Sequence, residues 1–143
     1  ADVPACLVSR PMRGEGKGER LDPVAEGLAG LPMLLLNPRV PLATGPVFAA
    51  WDGVDRGPLG RGDPLRAACA GRNDLQAPAR ALAPVIGEAV EMLAAAAGVL
   101  LARMSGSGAS CFALFADAHA RDAADSAIAL ARPGWWRLAT ALR

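Results

Sequence analysis

Two short stretches combine residue types suited to handling phosphate. Ala1-Asp2-Val3-Pro4 sets a carboxylate beside a proline-stiffened turn, and Ser105-Gly106-Ser107-Gly108-Ala109-Ser110 is a run of small residues between two apolar segments. A carboxylate next to a substrate hydroxyl can orient it or take its proton. Glycines let a backbone approach a ligand closely, and successive amides in such a loop can face an anion. Each stretch also has a plainer reading, the first as the start of a turn and the second as a hairpin bend, and spacing alone leaves both open. The loop lacks the lysine that follows in a Walker-type phosphate loop. An active-site acid at the second position, with no initiator Met before it, leads us to expect a piece of a longer protein.

The elements that must hold these residues follow from patterning. Residues 5–24 read as two extended segments about Gly14-Glu15-Gly16-Lys17-Gly18, a β-ribbon too thin to fold alone. Leu31 to Asn37 reads as a buried strand closed by Pro38. Thr44 is placed to cap a short helix that carries Pro46, Val47, Phe48 and Trp51. Residues 52–72 alternate glycine, proline and arginine, and are expected to form a long mobile loop.

A main helix is expected from Asn73, with Gln76 completing a capping box, a kink at Pro84 and a stop at Gly98. Val99–Met104 and Cys111–Phe115 read as strands flanking the small-residue loop. Asp117 is positioned to cap a further helix whose apolar stripe is Ala120, Ala124, Ala127, Ile128 and Ala131. Pro133-Gly134 ends it, and Trp135 to Leu142 supplies a last strand. The fold class is α+β: a ferredoxin-like split β-α-β antiparallel sheet with helices on one face. We expect residues 1–27 to be a β-ribbon remnant of a preceding domain and 28–143 to be the domain itself.

Composition narrows the function. With 143 residues there is room for one real core. The formal net charge is +1, and the basic residues, all arginine except Lys17, are scattered with few aromatics among them. Neither a nucleic-acid nor an acidic-lipid partner is expected. The run Leu31–Leu36 is too short to span a bilayer, and Ala89 to Ala102 is interrupted by Glu91 and Gly98. Cys6, Cys69 and Cys111 form no CxxC pair, which fits reduced thiols in a cytoplasm rather than a disulfide framework or zinc site. His119 is the only histidine and reads as a surface residue, so no metal site is expected within the chain.

Several motifs occur in a telling order: Ala1-Asp2-Val3-Pro4, Gly16-Lys17-Gly18-Glu19, Asn37-Pro38-x-Val40-Pro41-x-x-Thr44, Asn73-Asp74-Leu75 and Ser105 through Phe112. In this order the chain resembles the C-terminal half of the GHMP kinase superfamily. The resemblance is to the branch that phosphorylates 4-diphosphocytidyl-2-C-methyl-D-erythritol at its 2-hydroxyl, in non-mevalonate isoprenoid precursor synthesis. It implies ATP as phosphoryl donor, Mg2+ with it, and a small cytidine diphosphate methylerythritol as acceptor. Asp2 is then the catalytic acid-base residue. Gly106, Ser107, Gly108, Ala109 and Ser110 border the phosphates and support the nucleotide loop, and Thr44 and Phe48 bind substrate, Phe48 by stacking on the cytosine.

The nucleotide loop and the lysine partnered with the aspartate belong to the family's N-terminal half. The chain alone is therefore expected to be inactive, and that half is its first partner. Without it the ribbon is expected to be disordered, swapped between chains or packed in a homodimer. Two other readings stay open: a non-catalytic ferredoxin-like domain for ligand binding or oligomerisation, and another GHMP small-molecule kinase.

Overall fold

The computed structural model describes residues 3–8, 11–16, 18–24 and 27–142. Asp2 and Lys17 lie outside the described residues. The elements run α1 (Val3–Val8), β1 (Met12–Glu15), β2 (Arg20–Pro23), β3 (Pro32–Asn37), α2 (Thr44–Ala49), α3 (Pro64–Ala70), α4 (Gln76–Leu82), α5 (Val85–Ala94), β4 (Val99–Met104), β5 (Cys111–Phe115), α6 (Ala118–Ala131) and β6 (Trp136–Ala141).

Strands β3 to β6 form one antiparallel sheet in the order β4-β5-β3-β6. This is the split β-α-β arrangement expected from the sequence. Its register explains the core. Leu34 pairs with Ala113 and Leu36 with Cys111, so these side chains share the face toward the helices. There they meet Ile86, Leu93 and Ile128 from α5 and α6, all at most 2% exposed. Each such side chain contributes about 1.5–3 kcal/mol on burial, so the sheet and the two longer helices form one cooperative unit. Helix α6 is capped as expected, with the Asp117 carboxylate accepting from the Ala120 amide at 2.8 Å. Asp125 of α6 and Arg137 of β6 pair at 2.8 Å across the layers.

Five local expectations are corrected. Cys6, Leu7 and Val8 lie in a helix, not a strand. Among the described residues no strand runs beside them, and an extended segment without a ladder partner has no advantage over a helical turn. The ribbon itself forms, but further on, as the hairpin of β1 with β2. None of its described residues is fully buried. Arg13 ties it to the loop ahead of α3, donating to the carbonyl of Gly60 at 2.6 Å.

The second correction is α3, which occupies the end of the stretch read as loop. Asp63 caps it by accepting from the Arg66 amide at 2.7 Å, and Pro64 opens its first turn. It stands apart from the helical layer, at the edge strand β4. Arg103 of β4 donates to the Ala68 carbonyl at 3.0 Å, and the Cys69 thiol donates to the Leu100 carbonyl at 3.4 Å.

Third, the main helix is two helices. Pro84 removes a donor, clashes with the turn before it and pushes Ala83 to φ −140°, ψ 87°. The kink is a full break, and α5 ends at Ala94, ahead of Gly98. Fourth, the stripe of α6 is only partly in the core. Ala124 and Ile128 are buried, while Ala127 and Ala131 line an open groove between α5 and α6. Fifth, neither Thr44 nor the Asn73–Gln76 pair caps a helix in the expected way, because their side chains are used at the loop described next. No helix among the described residues is long and apolar enough to cross a membrane.

Candidate functional site

The small-residue loop joins β4 to β5 as a tight hairpin. The Ser105 amide donates to the Ser110 carbonyl at 2.8 Å, and the Gly108 amide to the Ser105 carbonyl at 3.0 Å. Those two amides are thus used internally. The amides of Gly106 and Ser107 have no such partner among the described residues and lie at or near the surface.

The two glycines do different work. Both have positive φ, +55° at Gly106 and +90° at Gly108. A Cβ on Gly106 would meet nothing within 4 Å, whereas one on Gly108 would lie 2.9 Å from the Met104 sulfur and 3.1 Å from Leu42 Cδ2. Gly108 and the buried Ala109 anchor the loop in the core, and Gly106 leaves its tip open.

Side chains from three other segments converge on this loop. Asn37, at the end of β3, donates through Nδ2 to Ser110 Oγ at 2.9 Å. The Thr44 and Ser107 hydroxyls share a hydrogen bond at 2.9 Å. Asn73 Nδ2 donates to the Met104 carbonyl at 2.9 Å and to the Gly106 carbonyl at 2.8 Å. Gln76 Oε1 accepts from the Met104 amide at 2.9 Å. Each such bond contributes on the order of 0.5–1.5 kcal/mol. Their combined effect is a loop whose shape is set before any ligand arrives.

These contacts explain the failed caps. Thr44 is the first helical residue of α2, and Ala43, with no side-chain bond, is the cap. Asn73 Oδ1 accepts from the Leu75 amide at 3.0 Å, a local turn two residues long, which leaves its Nδ2 free for the loop. The residue types were legible as caps because caps are local, whereas the partners used lie more than 25 positions away in sequence.

Phe48 is 54% exposed, and Val47 beside it fills the core position of α2. Core packing is thus not its role. It stands four residues after Thr44, on the same helical face, and Thr44 already touches the loop. Of the residues singled out in the sequence, Thr44, Ser107 and Ser110 are therefore brought into one hydrogen-bonded group with Asn37 and Asn73. Arg39 was not singled out. It holds φ +58° with its amide donating to Asn37 Oδ1 at 2.7 Å, and the Asn37-Pro38 pair was its signal. Cys111 follows the loop directly, and burial pushes its thiol up to about 12, so it is no nucleophile near neutral pH. Among the described residues no group of three His, Cys, Asp or Glu side chains gathers to hold a metal.

Comparison with known proteins adds lineage to this geometry. A family profile described as GHMP kinases C terminal matches residues 58–131. A protein of Rhizorhabdus wittichii named 4-diphosphocytidyl-2-C-methyl-D-erythritol kinase is 66% identical over 100% of this chain and 49% of its own length. One of the same name from Novosphingobium aromaticivorans is 54% identical, also over 100% of this chain and 49% of its own. A crystal structure of 4-(cytidine 5'-diphospho)-2C-methyl-D-erythritol kinase superposes with a TM-score of 0.76 at 30% identity, covering 99% of this chain and 53% of that one. The chain spans about half the length of the curated relatives it matches.

Proposed function

This chain belongs to the GHMP kinases, matching their C-terminal domain, and on that premise we propose that the protein carrying it transfers the γ-phosphoryl group of ATP to the 2-hydroxyl of 4-diphosphocytidyl-2-C-methyl-D-erythritol. The observation that carries this reading is the convergence of Asn37, Thr44 and Asn73 on the Ser105–Ser110 loop. A rigid loop with outward amides suits a reaction that depends on positioning and on stabilising charge at a phosphoryl group.

In this reading Gly106 through Ser110 border the phosphates, Asp2 acts on the attacking hydroxyl, and Thr44 and Phe48 bind the cytidine substrate. Mg2+ accompanies ATP and neutralises phosphate charge. Among the described residues no group of three His, Cys, Asp or Glu side chains gathers, and Mg2+ held mainly by substrate phosphates needs no such group. We place the domain boundary at residues 27 and 28, with the β1–β2 hairpin belonging to the N-terminal side.

The test is an ATP-dependent phosphorylation assay on the full-length protein, with the cytidine diphosphate methylerythritol and mevalonate offered separately. Turnover of the first alone is expected. Turnover of mevalonate would assign a different kinase of the superfamily, and no turnover of either would favour a binding domain.

Phe48 supplies a sharper check. Its ring is more than half exposed and lies outside the buried core, so Phe48→Ala is expected to leave the fold intact. Stacking on one base contributes about 1–3 kcal/mol, which corresponds to a rise of about 5- to 150-fold in the KM of the cytidine substrate. Steady-state kinetics with that substrate varied at saturating ATP measure it, and an unchanged KM removes Phe48 from the site.

A further inference from the structure

We infer that Asn73, with Gln76 beside it, is a positioning residue that aims the outward amide of the phosphate loop. The inference rests on the kinase reading and deepens it. The Asn73 side chain spends both donors of one nitrogen on two carbonyls, those of Met104 and Gly106, which bracket Ser105. A trans peptide is planar, so its N–H points opposite to its C=O. Holding the Met104 carbonyl toward Asn73 therefore turns the Ser105 amide away from it, toward Ser110, where it closes the hairpin at 2.8 Å. Holding the Gly106 carbonyl the same way turns the Ser107 amide outward, with no protein partner among the described residues. One side chain thus both shuts the hairpin and presents an N–H to solvent.

The direction of the Asn73 amide is itself determined. Its Oδ1 accepts from the Leu75 amide at 3.0 Å, so the nitrogen must face the loop. A carboxylate at this position would keep the bond to Leu75 and set an oxygen against two carbonyl oxygens. Gln76 holds the other side of Met104, accepting from its amide at 2.9 Å. There only an acceptor is required, so glutamate can replace glutamine and methionine cannot. The two positions have opposite chemical demands, and this makes the inference testable.

The experiment uses the full-length protein with ATP and the cytidine diphosphate methylerythritol. The wild type is assayed first, and a wild type without turnover ends the kinase reading before any variant is made. Asn73→Asp is expected to lower kcat about 10- to 100-fold, since small misplacements of a reacting group cost that much. The KM of the cytidine substrate is expected to stay within about 3-fold, because that ligand's stacking contact is untouched. Gln76→Met is expected to lower kcat in the same direction, and Gln76→Glu to restore it to within about 3-fold of wild type. An Asn73→Asp protein that melts like wild type and keeps its kcat overturns the inference while leaving the kinase reading standing. If Asn73→Asp does not fold, the Gln76 pair decides, and equal kcat in Gln76→Met and Gln76→Glu overturns it.

Discussion

Asp2→Asn in the full-length protein is expected to lower kcat by about 10²–10⁴-fold, the usual worth of a positioned acid-base group. Asparagine keeps the shape and most hydrogen-bonding capacity of the side chain but cannot take a proton from a tertiary hydroxyl. The loss should appear in kcat and in kcat/KM alike, because the interaction removed is made in the transition state rather than in the bound substrate. The fold should not change. Asparagine matches aspartate in size and shape, and the described core is built by β3–β6 with α5 and α6. Steady-state kinetics beside a thermal melt measure both quantities. A folded variant within about 3-fold of wild-type kcat would show that the carboxylate takes no part in the chemistry, and would reopen the reading of the loop as a plain hairpin.

Gly108→Val is expected to destabilise the protein by about 2–5 kcal/mol, combining strain at positive φ with overpacking. The residue sits at φ +90°, and its added carbons would enter the space held by Met104, Leu42 and Ile86. Met104 and Ile86 cannot yield freely, since both are fully buried. Gly106→Ala is the internal comparison. It has a positive φ as well, +55°, but nothing stands within 4 Å of its Cβ position, so only the conformational cost of about 1–2 kcal/mol remains. Denaturant unfolding of both variants separates the two costs. Equal destabilisation would mean that packing beneath the loop contributes nothing.

The fold was legible where patterns are local and strong. Leu34 and Leu36 belong to an unbroken apolar run, and a strand covered on its helical face needs such residues. The limits of α6 are written in Asp117 and in Pro133-Gly134, which act within one turn of themselves. Legibility fell where a neighbour's chemistry masked a short signal. Asp63-Pro64 is a helix start, but glycines and arginines around it read as loop. At Pro84 the sequence marked the place and understated the consequence, because a proline can bend or break a helix according to what the two halves pack against.

The candidate site divides along the same line. The residue types alone determined that a glycine-bearing loop follows one strand and precedes another, that Asn37 ends its strand while Thr44 and Asn73 head their segments, and that an aromatic follows Thr44 by one helical turn. Those are matters of composition and short spacing. Only the tertiary structure decided what the polar side chains hold. Asn73 and Thr44 were read as caps, since a cap's partner lies within three residues, yet their hydrogen bonds reach the loop between β4 and β5. An amide or hydroxyl carries no mark of which distant carbonyl it will meet. Sheet order and strand register bring those groups within 3 Å, and the part-buried Met104 carbonyl, which cannot be left without a partner, takes the Asn73 amide.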